Sequence, residues 1–181
     1  MLGYYSQDLT ELPLLPDNLK ELSCSNNCLT RLPKRLPNSL EYLSCPNNRL
    51  TTLPERLPNT LIDLYCINNR LTRLPEHLPN SLTYLNCSNN CLTRLPEHLP
   101  NTLKFLYCYD NLLTRLPKQL PNSLIDLWCD NNPFLFNVQK SYNNNTRSWS
   151  NYKIINKVEQ LQVKRLTTHF NRDLNRECSK Y

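Results

Sequence analysis

Residues 40–60 read LEYLSCPNNRLTTLPERLPNT, and nearly the same 21 residues begin again at Leu61, Leu82 and Leu103. An earlier copy opens at Leu19, and a truncated one at Leu124 loses the pattern after Asn132. A fixed period of about 20 to 50 residues marks an array in which each unit buries its apolar face on its neighbours. No single globular centre is then needed, and a hydrophobic fraction of 39%, low for a compact core, suffices for a stack of thin coils.

Each full unit follows L-x-x-L-x-C-x-N-N-x-L-T-x-L-P-x-x-L-P-N-S/T. In the unit from Leu40, apolar and polar positions alternate over Tyr42 to Cys45, which predicts a short strand. Leu43 and Cys45 then point inward, and Tyr42 and Ser44 outward. Asn48 turns in behind the strand, where its amide serves backbone groups that the turn would otherwise bury unsatisfied. Leu50, Leu53 and Leu57 fill the remainder of the coil. Pro54 and Pro58 exclude a helix on the returning side, which is read as extended or polyproline-like backbone. The chain has one glycine against 14 prolines, so its turns are not the glycine-dependent kind. The expected architecture is a β-rich solenoid with one parallel sheet of six or seven strands on its concave face. At about 4.8 Å per strand that sheet is roughly 30 Å across.

The unit fits the leucine-rich repeat signature L-x-x-L-x-L-x-x-N/C-x-L, with cysteine at the third apolar position. It resembles the short repeats of secreted bacterial effector proteins, L-P-x-L-P-x-x-L-x-x-L-x-V-x-x-N-x-L. It is similar also to the arrays encoded by giant viruses of amoebae, which are rich in Asn and Lys and often place Cys in the repeat. The resemblance runs from Leu9 to about Phe136. It implies a leucine-rich repeat array that binds protein. Some such effectors carry a large C-terminal ubiquitin-ligase domain with a catalytic cysteine, and the short tail here is too small for one.

Three segments follow from the pattern. Residues 1–18 are an N-terminal cap and partial repeat, with Leu2, Tyr4 and Tyr5 available to cover the open end of the first coil. Residues 19–136 are the array. Residues 137–181 are a polar loop and then a basic segment, in which Tyr152, Ile155, Val158 and Leu161, with Leu166, Phe170 and Leu174 beyond, have the spacing of one or two amphipathic helices that cap the array. Residues 1–138 hold 12 Lys plus Arg and 12 Asp plus Glu, whereas residues 139–181 hold 9 and 3, so the whole formal charge of +6 sits in the tail. The N-terminus lacks a basic start followed by an apolar run, and no segment approaches 18 consecutive apolar residues. The expectation is a cytoplasmic protein, in the host cytoplasm if the chain is viral, with no membrane span.

Cys24, Cys45, Cys66, Cys87, Cys108 and Cys129 recur every 21 residues. They read as a column of buried thiols acting as small apolar side chains. Neighbouring Cα atoms fall within disulfide range, but a ladder of six offers no unique pairing, and no CxxC pair is present. Cys28 and Cys91 share a second phase three coils apart, roughly 14 Å, too far to bond to each other. Cys178 in the tail reads as incidental. His77 and His98 stack in phase beside Glu76 and Glu97; repeat duplication explains them more simply than metal binding. His169 has no evident partner. Arg31, Arg73, Arg94 and Arg115 form a column interrupted by Thr52, with Glu55, Glu76 and Glu97 near enough to balance it. No G-x-S-x-G, phosphate loop or oriented Cys–His pair occurs, so neither an enzyme nor a cofactor is expected.

Function is sought where the repeats differ from one another. The outward strand positions are Glu21, Tyr42, Asp63, Tyr84, Phe105 and Asp126, then Ser23, Ser44, Tyr65, Asn86, Tyr107 and Trp128. The next outward row is Ser25, Pro46, Ile67, Ser88, Tyr109 and Asp130. Exposed aromatics on a rigid sheet, rimmed by carboxylates, have the composition of an interface hot spot. The predicted protein-binding residues are therefore Tyr42, Asp63, Tyr65, Tyr84, Phe105, Tyr107, Tyr109, Asp126, Trp128 and Asp130. The plainer alternative is that these rings only stabilise an exposed sheet through cross-strand contacts. The acidic rim suits a partner protein or peptide with a basic surface, such as a host protein, and repels nucleic-acid phosphates. The same rim would accept the chain's own basic tail or a second copy. A different function class, an adaptor or nucleic-acid-associated protein working through Lys153, Lys157, Lys164, Arg165, Arg172 and Arg176, is the runner-up. A substrate-recruiting component of a ubiquitin ligase rests on the resemblance alone.

Overall fold

The computed structural model describes residues 1–133. The expected helical cap over residues 137–181, residues 134–136 of the expected array, His169 and Cys178 lie outside the described residues. Seven short parallel strands form one sheet in chain order: β1 Leu2–Gly3, β2 Glu21–Ser23, β3 Tyr42–Ser44, β4 Asp63–Tyr65, β5 Tyr84–Asn86, β6 Phe105–Tyr107 and β7 Asp126–Trp128. The register advances by 21 residues from β2 onward, as in Leu43↔Leu64 and Leu64↔Leu85. The N-terminus does more than shield the first coil. Leu2 pairs with Leu22 and so extends the sheet by a strand. Leu2 and Tyr4 pack against the core, whereas Tyr5 is exposed.

The interior is a set of columns. In the unit from Leu40, Leu40, Leu43, Cys45, Leu50, Leu53 and Leu57 are all buried, and the same places in each full coil join one continuous core. Burying a leucine side chain stabilises by about 1.5–3 kcal/mol, so each coil contributes five such terms against its neighbours. The returning segments carry no helix. Their prolines are mostly buried beside the leucines, as at Pro54, Pro58, Pro75 and Pro79. Where the first partial repeat lacks one residue between its two Leu-Pro pairs, Leu14 is left 98% exposed.

Asparagine holds the turns, in two distinct ways. The second Asn of each pair is buried and bridges coils. Asn48 Nδ2 donates to the carbonyls of Cys24 at 2.9 Å, Cys45 at 3.3 Å and Pro46 at 3.2 Å, and its Oδ1 accepts the Leu29 amide at 3.0 Å. Asn69, Asn90 and Asn111 repeat this pattern. The inward asparagine expected from the sequence is thus observed. The first Asn takes the left-handed backbone conformation, with φ 55° at Asn26, 54° at Asn47, 53° at Asn68 and 52° at Asn89. Asn tolerates that region better than most side chains, which is how a chain with one glycine makes a sharp turn in every coil. A third tie comes from the Ser or Thr ending each unit. Thr60 Oγ1 donates to Asn38 O at 2.8 Å and Leu40 O at 2.7 Å. Among the described residues, Ser88 Oγ alone is a buried side-chain polar atom without a hydrogen-bond partner.

Candidate protein-binding face

Because successive strands sit in exact side-by-side register, an outward residue on one coil meets its counterparts on the coils before and after. Tyr42, Asp63, Tyr84, Phe105 and Asp126 occupy one row, and Ser44, Tyr65, Asn86, Tyr107 and Trp128 the next. The rings lean between rows and touch across coils. Tyr65 lies 5.3 Å from Tyr42 and stacks on Tyr84 at 4.6 Å between centroids. Tyr84 meets Tyr107 edge-on at 5.4 Å and Phe105 at 5.9 Å. Tyr107 reaches Trp128 at 5.3 Å, and Tyr109 reaches it at 6.3 Å. The result is an unbroken aromatic path over five strands, ending at Trp128, which is 52% exposed.

The sequence-predicted residues therefore divide. Tyr42, Tyr65, Tyr84, Phe105, Tyr107, Tyr109 and Trp128 come together in one path. Asp63 and Asp126 join it: Asp63 is flanked in register by Tyr42 and Tyr84, and Asp126 Oδ2 accepts the Tyr107 hydroxyl at 3.1 Å. Asp130 lies exposed at the rim. The serines assigned to the outward face are not exposed. Ser23, Ser25, Ser44 and Ser88 are buried, Ser44 at 7%. Such small side chains lie below the level of their neighbours; Ser44 pairs in register with Tyr65.

Partial burial tunes these groups toward neutrality. It pushes the Tyr65 hydroxyl up to about 12, with Tyr84 and Asp63 nearby adding to the rise. It does the same to Tyr107, up to about 12, helped by the hydrogen bond to Asp126. The Tyr84 hydroxyl is raised for the same reason. The Asp63 carboxyl is also raised by burial, and the Thr83 hydroxyl, 3.4 Å away, opposes that rise. These tyrosines are neutral hydrogen-bond donors at physiological pH, on apolar bodies that lose little entropy on binding.

The other candidates lie elsewhere. Cys24, Cys45, Cys66, Cys87 and Cys108 are buried free thiols. Burial pushes Cys24 and Cys87 up to about 12 and raises Cys45, Cys66 and Cys108 well above the usual thiol value. The Arg column is paired coil to coil: Arg31 with Glu11, Arg73 with Glu55 at 2.7 Å, Arg94 with Glu76 at 3.7 Å and Arg115 with Glu97. His77 and His98 are exposed on the Leu-Pro side, in a furrow that runs across the coils. Among the described residues no group of three or more His, Cys, Asp or Glu is placed to hold a metal ion, and no helix is long and apolar enough to cross a membrane. Sequence reasoning missed the left-handed first Asn and the Ser/Thr ties. The signal for both was present: a polar residue fixed at every turn of a chain almost without glycine.

Short parallel strands, a leucine-filled interior and an asparagine ladder at every coil define a leucine-rich repeat solenoid, and the Leucine Rich Repeat family model matches residues 18–38 and 81–101. The chain is a leucine-rich repeat protein whose repeats are similar to those of bacterial effectors. YopM from Yersinia enterocolitica WA-314 is 41% identical, with a TM-score of 0.64 over 68% of this chain and 26% of that one. The Shigella effector LRR domain is 39% identical, with a TM-score of 0.64 over 70% and 56%. YopM from Yersinia pestis, a leucine-rich effector protein, is 33% identical, with a TM-score of 0.58 over 72% and 43%. The chain thus spans between about a quarter and just over half of these proteins' lengths. No curated protein matches it.

Proposed function

We propose that the chain is a non-enzymatic interaction module that binds a protein or peptide through the aromatic half of its concave face. The observation that carries this is the continuous path from Tyr42 through Tyr65, Tyr84 and Tyr107 to Trp128, on a surface where the repeats diverge while their cores stay fixed. Cross-strand contact alone accounts for it less well. The coils carrying Ser23 and Ser44 at the same row keep the same register and the same fully buried leucines, so the fold does not need rings there. An exposed Trp beside tyrosines, with carboxylates at the edge, is the surface that protein interfaces use as an anchor. Asp63 and Asp126 favour a partner with a basic surface over nucleic acid. The similarity to bacterial effector repeats adds support for an interaction module.

The test is affinity capture from cell lysate with the intact protein and with Tyr84, Phe105, Tyr107 and Trp128 replaced by alanine. Captured partners should disappear in the variant while its circular dichroism and array solubility persist. Undiminished capture by the variant sinks the reading.

A further inference from the structure

Asp63 is set by the sheet register between two tyrosines, Tyr42 on β3 and Tyr84 on β5. Tyr65, on the same strand as Asp63, has its ring within 5.3 Å of one and 4.6 Å of the other. The carboxylate is half-buried, close enough to Tyr65 and Tyr84 for its charge to act on both hydroxyls, and its hydrogen bond from Thr83 is long, at 3.4 Å. The same combination recurs three strands on. Asp126 occupies the same row, pairs in register with Phe105, accepts Tyr107 and shares β7 with the exposed Trp128. Among the described residues, no ion pair includes Asp63 or Asp126, whereas the Lys20–Glu41 and Arg–Glu pairs neutralise charges elsewhere on the coils.

A carboxylate beside aromatic rings suits a cation, which gains from the ring quadrupole and from the opposite charge together. Guanidinium suits it best, since its plane stacks on a ring while its edge donates two parallel hydrogen bonds to a carboxylate. Three strand steps place Asp63 and Asp126 roughly 14 Å apart. An extended chain advances about 3.3 Å per residue, so side chains at i and i+4 point the same way about 13 Å apart. We propose that Asp63 and Asp126 are two subsites for cationic side chains, arginine above all, of a partner segment lying extended across the coils with those two side chains four residues apart. The proposal rests on the concave-face reading and makes its partner specific. Tyr84 and Phe105 lie between the subsites and face the residue at i+2, which should be apolar.

The experiment is fluorescence anisotropy on the full chain with labelled peptides. One carries two arginines four apart with a leucine between them. One of identical composition carries them two apart, and one replaces both arginines by lysine. The first should bind tightest and the lysine peptide should bind more weakly. Asp63→Asn and Asp126→Asn should each weaken the first peptide by about fivefold, and together by roughly 25-fold. Glu55→Gln, a charge loss of equal size on the Leu-Pro side, should leave it unchanged. Equal binding of the two arginine spacings overturns the two-subsite geometry. An Asp63→Asn effect no larger than that of Glu55→Gln, or no binding by the intact protein at millimolar peptide, overturns the proposal altogether. If the aromatic-to-alanine variant still loses its cellular partner in that case, the concave-face reading stands without the cation subsites.

Discussion

Asn69→Ala removes one side chain that serves two coils, and the structure fixes what is lost. Asn69 Oδ1 accepts the Leu50 amide at 3.0 Å, the hydrogen bond that satisfies this buried N–H. Its Nδ2 donates to Cys45 O at 2.9 Å, Cys66 O at 3.2 Å and Ile67 O at 3.2 Å. Those three carbonyls keep other partners: Asn48 Nδ2 at 3.3 Å, Asn90 Nδ2 at 3.0 Å and the Asn47 amide at 3.1 Å. The dominant cost is therefore one orphaned buried donor, about 1–3 kcal/mol, with about 1 kcal/mol more from the lost bonds, or about 3 kcal/mol in all. Asn68→Gly is the matched control. Asn68 is exposed, its φ of 53° suits glycine, and its backbone amide still donates to Ser88 O, so the change should stay within about 0.5 kcal/mol. Urea unfolding followed by circular dichroism reads both, with the m-value checked for constancy. An Asn69→Ala loss below about 1 kcal/mol, or one matched by Asn68→Gly, would refute the view that the inward Asn clamps the coils.

Three further outcomes follow from the same structure. Tyr65 and Tyr107 are pushed up to about 12 from the usual tyrosine value near 10, so the folded state holds their protons more tightly than the unfolded one. Their contribution is complete below about pH 10 and is lost as pH rises toward 12; ultraviolet titration should show late-ionising tyrosines that Tyr65→Phe reduces, and uniform ionisation near pH 10 would contradict this. Cys24, Cys45, Cys66, Cys87 and Cys108 are buried with raised thiol pKa values, so N-ethylmaleimide followed by peptide mass mapping should label half-buried Cys28 first and the column only in urea. Arg73→Ala breaks an exposed pair with Glu55 and should shift stability by less than about 0.5 kcal/mol, since such pairs are solvent-screened; a larger shift in urea midpoint would give that column a structural role.

The array was legible because its determinants are local and repeated. Leucine at fixed offsets, proline where a helix would otherwise form and Asn48 behind its strand each state their role without reference to distant residues. The concave row was legible for a related reason: alternation along Tyr42 to Cys45 fixes which side chains point out, and a constant 21-residue period fixes who neighbours whom. How far each side chain stands above the sheet was not legible. Ser44 and Ser88 point outward but are buried, because exposure depends on the sizes of residues 21 positions away. The lean of Tyr65 onto Tyr84 is equally a property of the assembled sheet. The φ of 54° at Asn47 follows from the one-glycine composition, yet only the backbone shows that the first Asn of each pair, rather than the second, takes it.

Hydroxyl-radical footprinting of the full chain, free and saturated with a captured partner, tests the central claim most directly. Tyr65, Tyr84, Tyr107 and Trp128 should become protected together, while His77 and His98 on the Leu-Pro side keep their reactivity. Protection of the histidines or of residues 139–181, with the concave aromatics unchanged, would contradict the account.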